Sequence, residues 1–133
     1  MTPVLGNYKQ EWRSMMEESI LTTTKKLLGI TEEYEHFDQD IMVAINTALM
    51  TLNQIGVGKP EGFMVTDRFD RWNDFVPEEQ RMNLGFIQSY VHLKTRLIFD
   101  PPQNSFTIES MNKMMSEIEW RLNVAVDYKS FDQ

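Results

Sequence analysis

The clearest hydrophobic pattern in the chain lies in an uncharged stretch, residues 41–58, bracketed by Asp40 and Lys59. Its apolar residues recur at steps of four, three, four and three positions: Ile41, Ile45, Ala48, Leu52 and Ile55. This spacing predicts an α-helix with one apolar face. Asp38 or Asp40 is expected to cap the helix, and residues 56–60, with two glycines and a proline, to end it. Because the other faces are uncharged too, we expect the helix to be covered on more than one side, by its own domain or by another chain.

A shorter helix is predicted before this one. Ser14 and Glu17 have the spacing of a capping box, which places the start of the helix at Ser14. The helix should end at Leu28, because Gly29 can take up the left-handed conformation that closes a helix. Ile30 then follows as the usual hydrophobic partner of such a C-terminus.

Two more helices are predicted in the second half of the chain. The third begins at Pro77 and ends at Asp100, because a residue that precedes a proline avoids helical geometry. Its predicted apolar face consists of Phe86, Tyr90, Leu93 and Leu97, flanked by Ile87, Val91 and Ile98. Ser105 or Thr107 is expected to cap the fourth helix. The apolar face of that helix consists of Ile108, Met111, Met115, Ile118, Leu122 and Ala125.

The segment 61–74 has no helical periodicity, and residues 63–65 form a short β-like run. Four aromatic side chains of this region are expected to pack onto the helices: Phe63, Phe69, Trp72 and Phe75. The predicted fold is all-α, a bundle of about four helices with a short β-hairpin or extended loop between helices two and three. The predicted organisation is a flexible N-terminal arm, 1–13, a helical domain, 14–126, and a flexible C-terminal tail, 127–133.

Composition narrows the classes of function. With 133 residues the chain is expected to form one domain. Thirteen basic and twenty acidic residues give a net charge of −7, which opposes binding to duplex DNA through its phosphates. The absence of cysteine excludes disulfides and thiolate chemistry. The first ten residues lack the pattern of a secretion signal, and Asn46, Asn53 and Gln54 make the uncharged stretch too polar to cross a membrane.

Signals of catalysis are weak. The two histidines, His36 and His92, lie far apart in the sequence, and no glycine-rich phosphate loop is present. His36, Asp38 and Asp40 could be imagined as metal ligands, but helix capping explains their spacing better. We therefore predict a protein that is not an enzyme and holds no cofactor or metal. Its uncharged helix and its ten methionines suit a protein that contacts other proteins.

Several motifs together resemble a known family. They lie at residues 27–30, 41–58, 62–63, 72–75, 90–102 and 119–124. The most specific are Asp-Pro-Pro after helix three and the later Glu-Trp-Arg-Leu-Asn. In this order they resemble the small head–tail connector proteins of long-tailed bacteriophages, also called adaptor or head-completion proteins. The resemblance covers about residues 17–126 and makes residues 14–126 the helical connector domain.

This resemblance implies a structural virion protein at the head–tail interface, present in the host cytoplasm during assembly. Such proteins form a ring, typically of twelve copies, under the portal protein; the ring extends the DNA channel and docks the next neck or tail-terminator protein. DNA would pass through it without sequence-specific binding. The alternative is a small helical DNA-binding or regulatory phage protein, which the net charge disfavours.

Candidate site residues follow from this expected role. Surfaces that meet a neighbouring subunit or the portal should include uncharged helix residues and exposed aromatic anchors. The candidates are Met42, Asn46, Leu49, Asn53, Trp72, Tyr128 and Phe131. Acids that line the channel would keep DNA from adhering to the wall. The candidates are Glu32, Glu33, Glu35, Asp67 and Asp70.

Overall fold

The computed structural model describes the backbone of residues 14–131 and the side chains of residues 14–127. The predicted arm, 1–13, lies outside the described residues. The helices, numbered in chain order, are α1 (Ile20–Leu27), α2 (Asp38–Gln54), α3 (Trp72–Phe75), a 3-10 helix (Glu78–Asn83), α4 (Leu84–Phe99) and α5 (Ser105–Phe131). No strand forms within residues 14–131, so the all-α prediction is confirmed for this part of the chain.

Helix α4 is the centre of the packing and contacts α1, α2 and α5. The predicted apolar face of α2 is confirmed, because Ile41, Ile45, Ala48 and Leu52 are fully buried. The predicted stripe of α5 is confirmed in its middle, where the buried residues are Met115, Ile118 and Leu122. These faces join the aromatic side chains of α3 and α4 in one hydrophobic core.

The predicted start of the first helix is wrong. Residues 14–16 are helical, but α1 itself begins at Ile20 with Ser19 as its cap, whose Oγ accepts the Thr22 N–H at 3.1 Å. The chain is diverted at residues 17–19, because a single antiparallel bridge pairs Ser19 with Arg71. The predicted end is confirmed: Gly29 has φ +80°, and the Ile30 N–H donates to the Lys25 carbonyl at 2.9 Å.

The predicted hairpin between helices two and three is not supported, because residues 59–71 form an extended loop without strands. Val65 is held by a side chain instead of a second strand: its N–H donates to Asn46 Oδ1 at 2.7 Å, and its carbonyl accepts from Asn46 Nδ2 at 3.0 Å. Trp72 and Phe75 are buried and Phe63 packs on the core, as predicted. Phe69 is exposed, which contradicts its predicted packing.

The third predicted helix consists of two parts. Glu78–Asn83 form the 3-10 helix, and α4 begins only at Leu84. The prediction that Phe86 belongs to the apolar face is wrong, because Phe86 is exposed while Ile87 and Val91 are fully buried. The reason is that α2 and α5 together cover a broad arc of α4, whose centre is shifted toward Ile87. Asp100 ends α4, as predicted.

The caps of α2 and α5 differ from those predicted. Phe37 precedes α2 without a side-chain cap, and Asp38 and Asp40 lie inside its first turn. Asn104 caps α5, since its Oδ1 accepts the Phe106 N–H at 2.8 Å. The backbone of α5 stays helical to Phe131, past the predicted end of the helical domain at residue 126. The flexibility of the tail stays a prediction.

Candidate interaction surfaces

Three of the predicted interface residues lie in the core of the chain itself. Met42, Leu49 and Trp72 are buried among the other core side chains. In this conformation their side chains are not accessible to a partner. Helical periodicity alone could not show this, because an uncharged helix can be covered by its own domain or by another chain.

The two asparagines predicted at the interface hold the loop that follows α2. Asn46 bonds both backbone polar groups of Val65. Asn53 Nδ2 donates to the carbonyls of Val57 at 3.2 Å and Lys59 at 2.8 Å. Both side chains thus serve the fold of this chain. The side chains of Tyr128 and Phe131 lie outside the described residues, so their predicted contacts remain predictions.

A different face of α2 is open. Val43 and Met50 are both 64% exposed, and Thr47 and Gln54 are exposed beside them. The four residues follow one another at steps of four, three and four, so they form a single stripe, called here the α2 stripe. It contains no charged residue. The sequence held the signal for it, because these positions lie opposite Ile45 and Leu52 on the helix.

The predicted channel acids Glu32, Glu33 and Glu35 are exposed on the loop between α1 and α2, called here the acidic loop. A buried lysine fixes this loop. Lys25, at the end of α1, is 2% exposed, and its Nζ donates to the carbonyls of Glu32 at 3.0 Å and Tyr34 at 2.8 Å. Its Nζ also lies 2.8 Å from Asp38 Oδ1. The carboxylates therefore extend from a loop of defined shape.

Asp67 and Asp70, the other predicted channel acids, fold their own loop. Asp70 Oδ2 accepts the N–H groups of Thr66 at 2.7 Å and Asp67 at 3.2 Å, and Asp67 Oδ1 accepts the Phe69 N–H at 2.8 Å. These bonds explain the two acids as loop-forming residues. A second role in a channel stays a prediction.

The two histidines lie in different surroundings. His36 is exposed and contacts the rings of Tyr34 and Phe37. His92 is half-buried on α4: burial first, and then the Arg96 guanidinium, lower the pKa of its imidazole, while a hydrogen bond to the Leu27 backbone acts in the opposite direction. Within residues 14–131 no three His, Asp or Glu side chains converge as a metal site.

His92 should make stability depend on pH. Because its folded pKa lies below the unfolded value of about 6.5, the unfolded chain binds more protons below that pH, and stability falls as the pH drops through it. We expect His92→Gln to flatten the slope of unfolding free energy between pH 7 and pH 5, measured by urea titration. His36→Gln is the matched control. An equal slope in both variants would contradict the assignment.

No helix of the described residues is long and apolar enough to cross a membrane. Neither a curated protein nor a solved structure shows significant similarity to the chain. A family model described as the phage connector protein does match, over residues 20–129. The match extends from α1 almost to the end of α5 and so includes the acidic loop, the α2 stripe and the core. This chain therefore belongs to the phage connector protein family.

Proposed function

We propose that this protein is a head–tail connector that assembles as a ring beneath the portal protein, extends the DNA channel and docks the next neck or tail component. The observation that carries the proposal is the family match over residues 20–129. A connector of this kind is a structural protein of the virion and catalyses no reaction. The described fold agrees with such a role, because it exposes uncharged and aromatic side chains outside a closed core.

The α2 stripe is the surface that we assign to the portal or neck partner. A solvated helix face normally carries charges, whereas Val43, Thr47, Met50 and Gln54 can lose their water without leaving a charge unpaired. Methionine adapts to an irregular partner surface, which suits a contact with a different protein. The stripe replaces the buried residues Met42 and Leu49, which sequence reasoning had placed in the interface.

The acidic loop is the segment that we place at the channel wall. All three carboxylates are exposed and the backbone of the loop is tied to Lys25. Glu32 borders the cleft beside α1, so the negative charges of Glu33 and Glu35 are the ones that would face passing DNA from a fixed position. Like charges repel the phosphates and keep DNA from adhering. Asp67 and Asp70 are further candidates for this wall. A structure of the assembled ring with a wall rich in lysine and arginine would contradict the assignment.

The experiment that tests the function uses portal-bearing heads from the corresponding phage. Purified protein is mixed with these heads, and bound copies are imaged by electron microscopy. We expect a closed ring beneath the portal and no association with heads that lack the portal. A protein that ignores the portal but shifts duplex DNA in a gel at moderate salt would instead be a DNA-binding protein.

The α2 stripe can be tested separately from the fold. Val43→Ser with Met50→Ser should change the unfolding free energy by no more than about 1 kcal/mol, because both side chains are exposed. Association with portal-bearing heads should weaken by at least about tenfold, because two apolar contacts are lost. Met82→Ser, which alters an exposed methionine elsewhere, is the control. If the double variant and the control bind portal-bearing heads equally well, the α2 stripe is not part of the interface.

A further inference from the structure

An open cleft of about 660 Å³ lies between α1 and the loop 66–71. Its base is preformed, since the Ile20 N–H donates to the Asp70 carbonyl at 2.9 Å and the Trp72 N–H donates to the Glu18 carbonyl at 3.1 Å. These two bonds tie the chain before α1 to the chain before α3. The cleft therefore has a fixed shape before any partner binds.

The charges around this cleft are balanced. Three acidic and three basic side chains line it: Glu17, Glu18, Glu32, Lys26, Arg68 and Arg71. None of the four ion pairs found among the described residues includes any of the six. The chain as a whole has a net charge of −7, so two copies repel each other over most of their surface. A contact between copies costs least where the local charge sums to zero, as it does here.

An aromatic side chain also lines the cleft without being covered. Phe69 is 70% exposed, and the Arg68 guanidinium lies 5.0 Å from the centre of its ring. The ring and the guanidinium together offer a flat surface on which another aromatic side chain could stack. Large aromatic residues and arginine are also the usual anchors of protein interfaces.

The outer face of α5 has the complementary features. Trp120 is 65% exposed, and Val124, one turn further on, is exposed as well. Beside Trp120 lie Glu117 and Arg121, whose side chains pair at 3.0 Å. This face thus projects one large aromatic ring between charges of both signs. The opposite face of α5 is the buried stripe, so its outer face is directed away from the core of the chain.

We infer that the cleft receives the Trp120 face of α5 from a second copy of this chain. The inference rests on the proposed ring, because a ring needs one contact between two different surfaces, repeated from copy to copy. Trp120 would lie against Phe69 and Arg68, while the mixed charges of the helix face meet the mixed charges of the cleft. The local charges of each surface sum to zero, so two copies of an acidic chain can associate there without strong repulsion.

The absence of natural cysteine permits a direct test. One copy carries Thr22→Cys in the cleft, a differently tagged copy carries Val124→Cys, and a short bismaleimide joins them. We expect the mixed product to form at least about tenfold faster than with Gln103→Cys, an exposed control position on the turn before α5. The reaction is run on the free protein at high concentration and on portal-bearing heads. A rate equal to the control in both settings overturns the inference.

Two surface variants test the direction of the contact. Trp120→Ala should remove the projecting side of the contact, and the double variant Arg68→Glu with Arg71→Glu should remove the receiving side. Native mass spectrometry measures the assembly of each variant at concentrations where the parent chain associates. Each variant alone should stay monomeric. Their mixture retains one intact contact and should stop at two copies. Variants that still extend into larger assemblies would contradict the inference.

The inference and the proposed function can fail separately. If rings form on portal-bearing heads but the cysteine pair cross-links only at the control rate, the inference fails and the proposed function stands. If the pair cross-links rapidly but the protein does not bind the heads, the proposed function alone is refuted.

Discussion

Gly58→Ala is expected to destabilise the fold by about 3 kcal/mol, the sum of backbone strain and overpacking. Gly58 has φ +90°, a conformation that residues with a Cβ rarely adopt. A Cβ at this position would also overlap the ring of Phe75, at 2.6 Å from its Cζ. Phe75 is fully buried, so the ring has no free space to move into. Urea titration of the unfolding free energy measures the loss.

Gly29→Ala is the matched control for this substitution. Gly29 has φ +80°, yet a Cβ there meets no atom within 4 Å, so only the backbone cost of about 1 kcal/mol should appear. The difference between the two variants isolates the clash. In a Phe75→Leu background the cost of Gly58→Ala should fall toward that of Gly29→Ala. An unchanged cost in that background would show that the clash with Phe75 is not its source.

Lys25→Met is expected to cost about 3 kcal/mol of stability, because it removes two hydrogen bonds and an ion pair made by a buried ammonium group and leaves their part-buried acceptors unpaired. The carbonyls of Glu32 and Tyr34 would lose their donor, and Asp38 would lose its cation. Lys26→Met changes the next residue, which is exposed, and should cost no more than about 0.5 kcal/mol. Urea titration measures the unfolding free energy of both variants. Equal stability of the two variants would show that Lys25 does not hold the loop.

Hydrogen exchange should locate the effect of Lys25→Met. The amides of the acidic loop are expected to exchange faster in this variant than in Lys26→Met, while those of α4 change only through the global stability. Adding Asp38→Asn should recover part of the loss, because the carboxylate charge is then absent, but the two carbonyls stay unpaired. A double variant as unstable as Lys25→Met alone would mean that the unpaired Asp38 carboxylate carries no penalty of its own.

Sequence alone gave reliable results where the signal is local. Gly29 and Asp100 ended their helices where predicted, because the conformations of glycine and of the residue before a proline depend on the nearest atoms. The apolar stripe of α2 and the middle of the stripe of α5 also became buried as their periodicity indicated. The motifs that resembled the phage connectors agree with the family match. The helix ends depend on one or two turns of chain, and an apolar stripe depends only on spacing along a single helix.

Tertiary structure decided the features that depend on distant partners. Asn46 takes up the hydrogen bonds of Val65, nineteen residues away, and no β-run in the sequence could reveal that competitor. Arg71 pairs with Ser19 and so delays the start of α1. The burial of Met42 and Leu49, which flank the apolar face of α2, followed from the elements that pack on this helix. Burial is a property of all the elements packed on a helix, and a periodic sequence specifies only the face that must be covered.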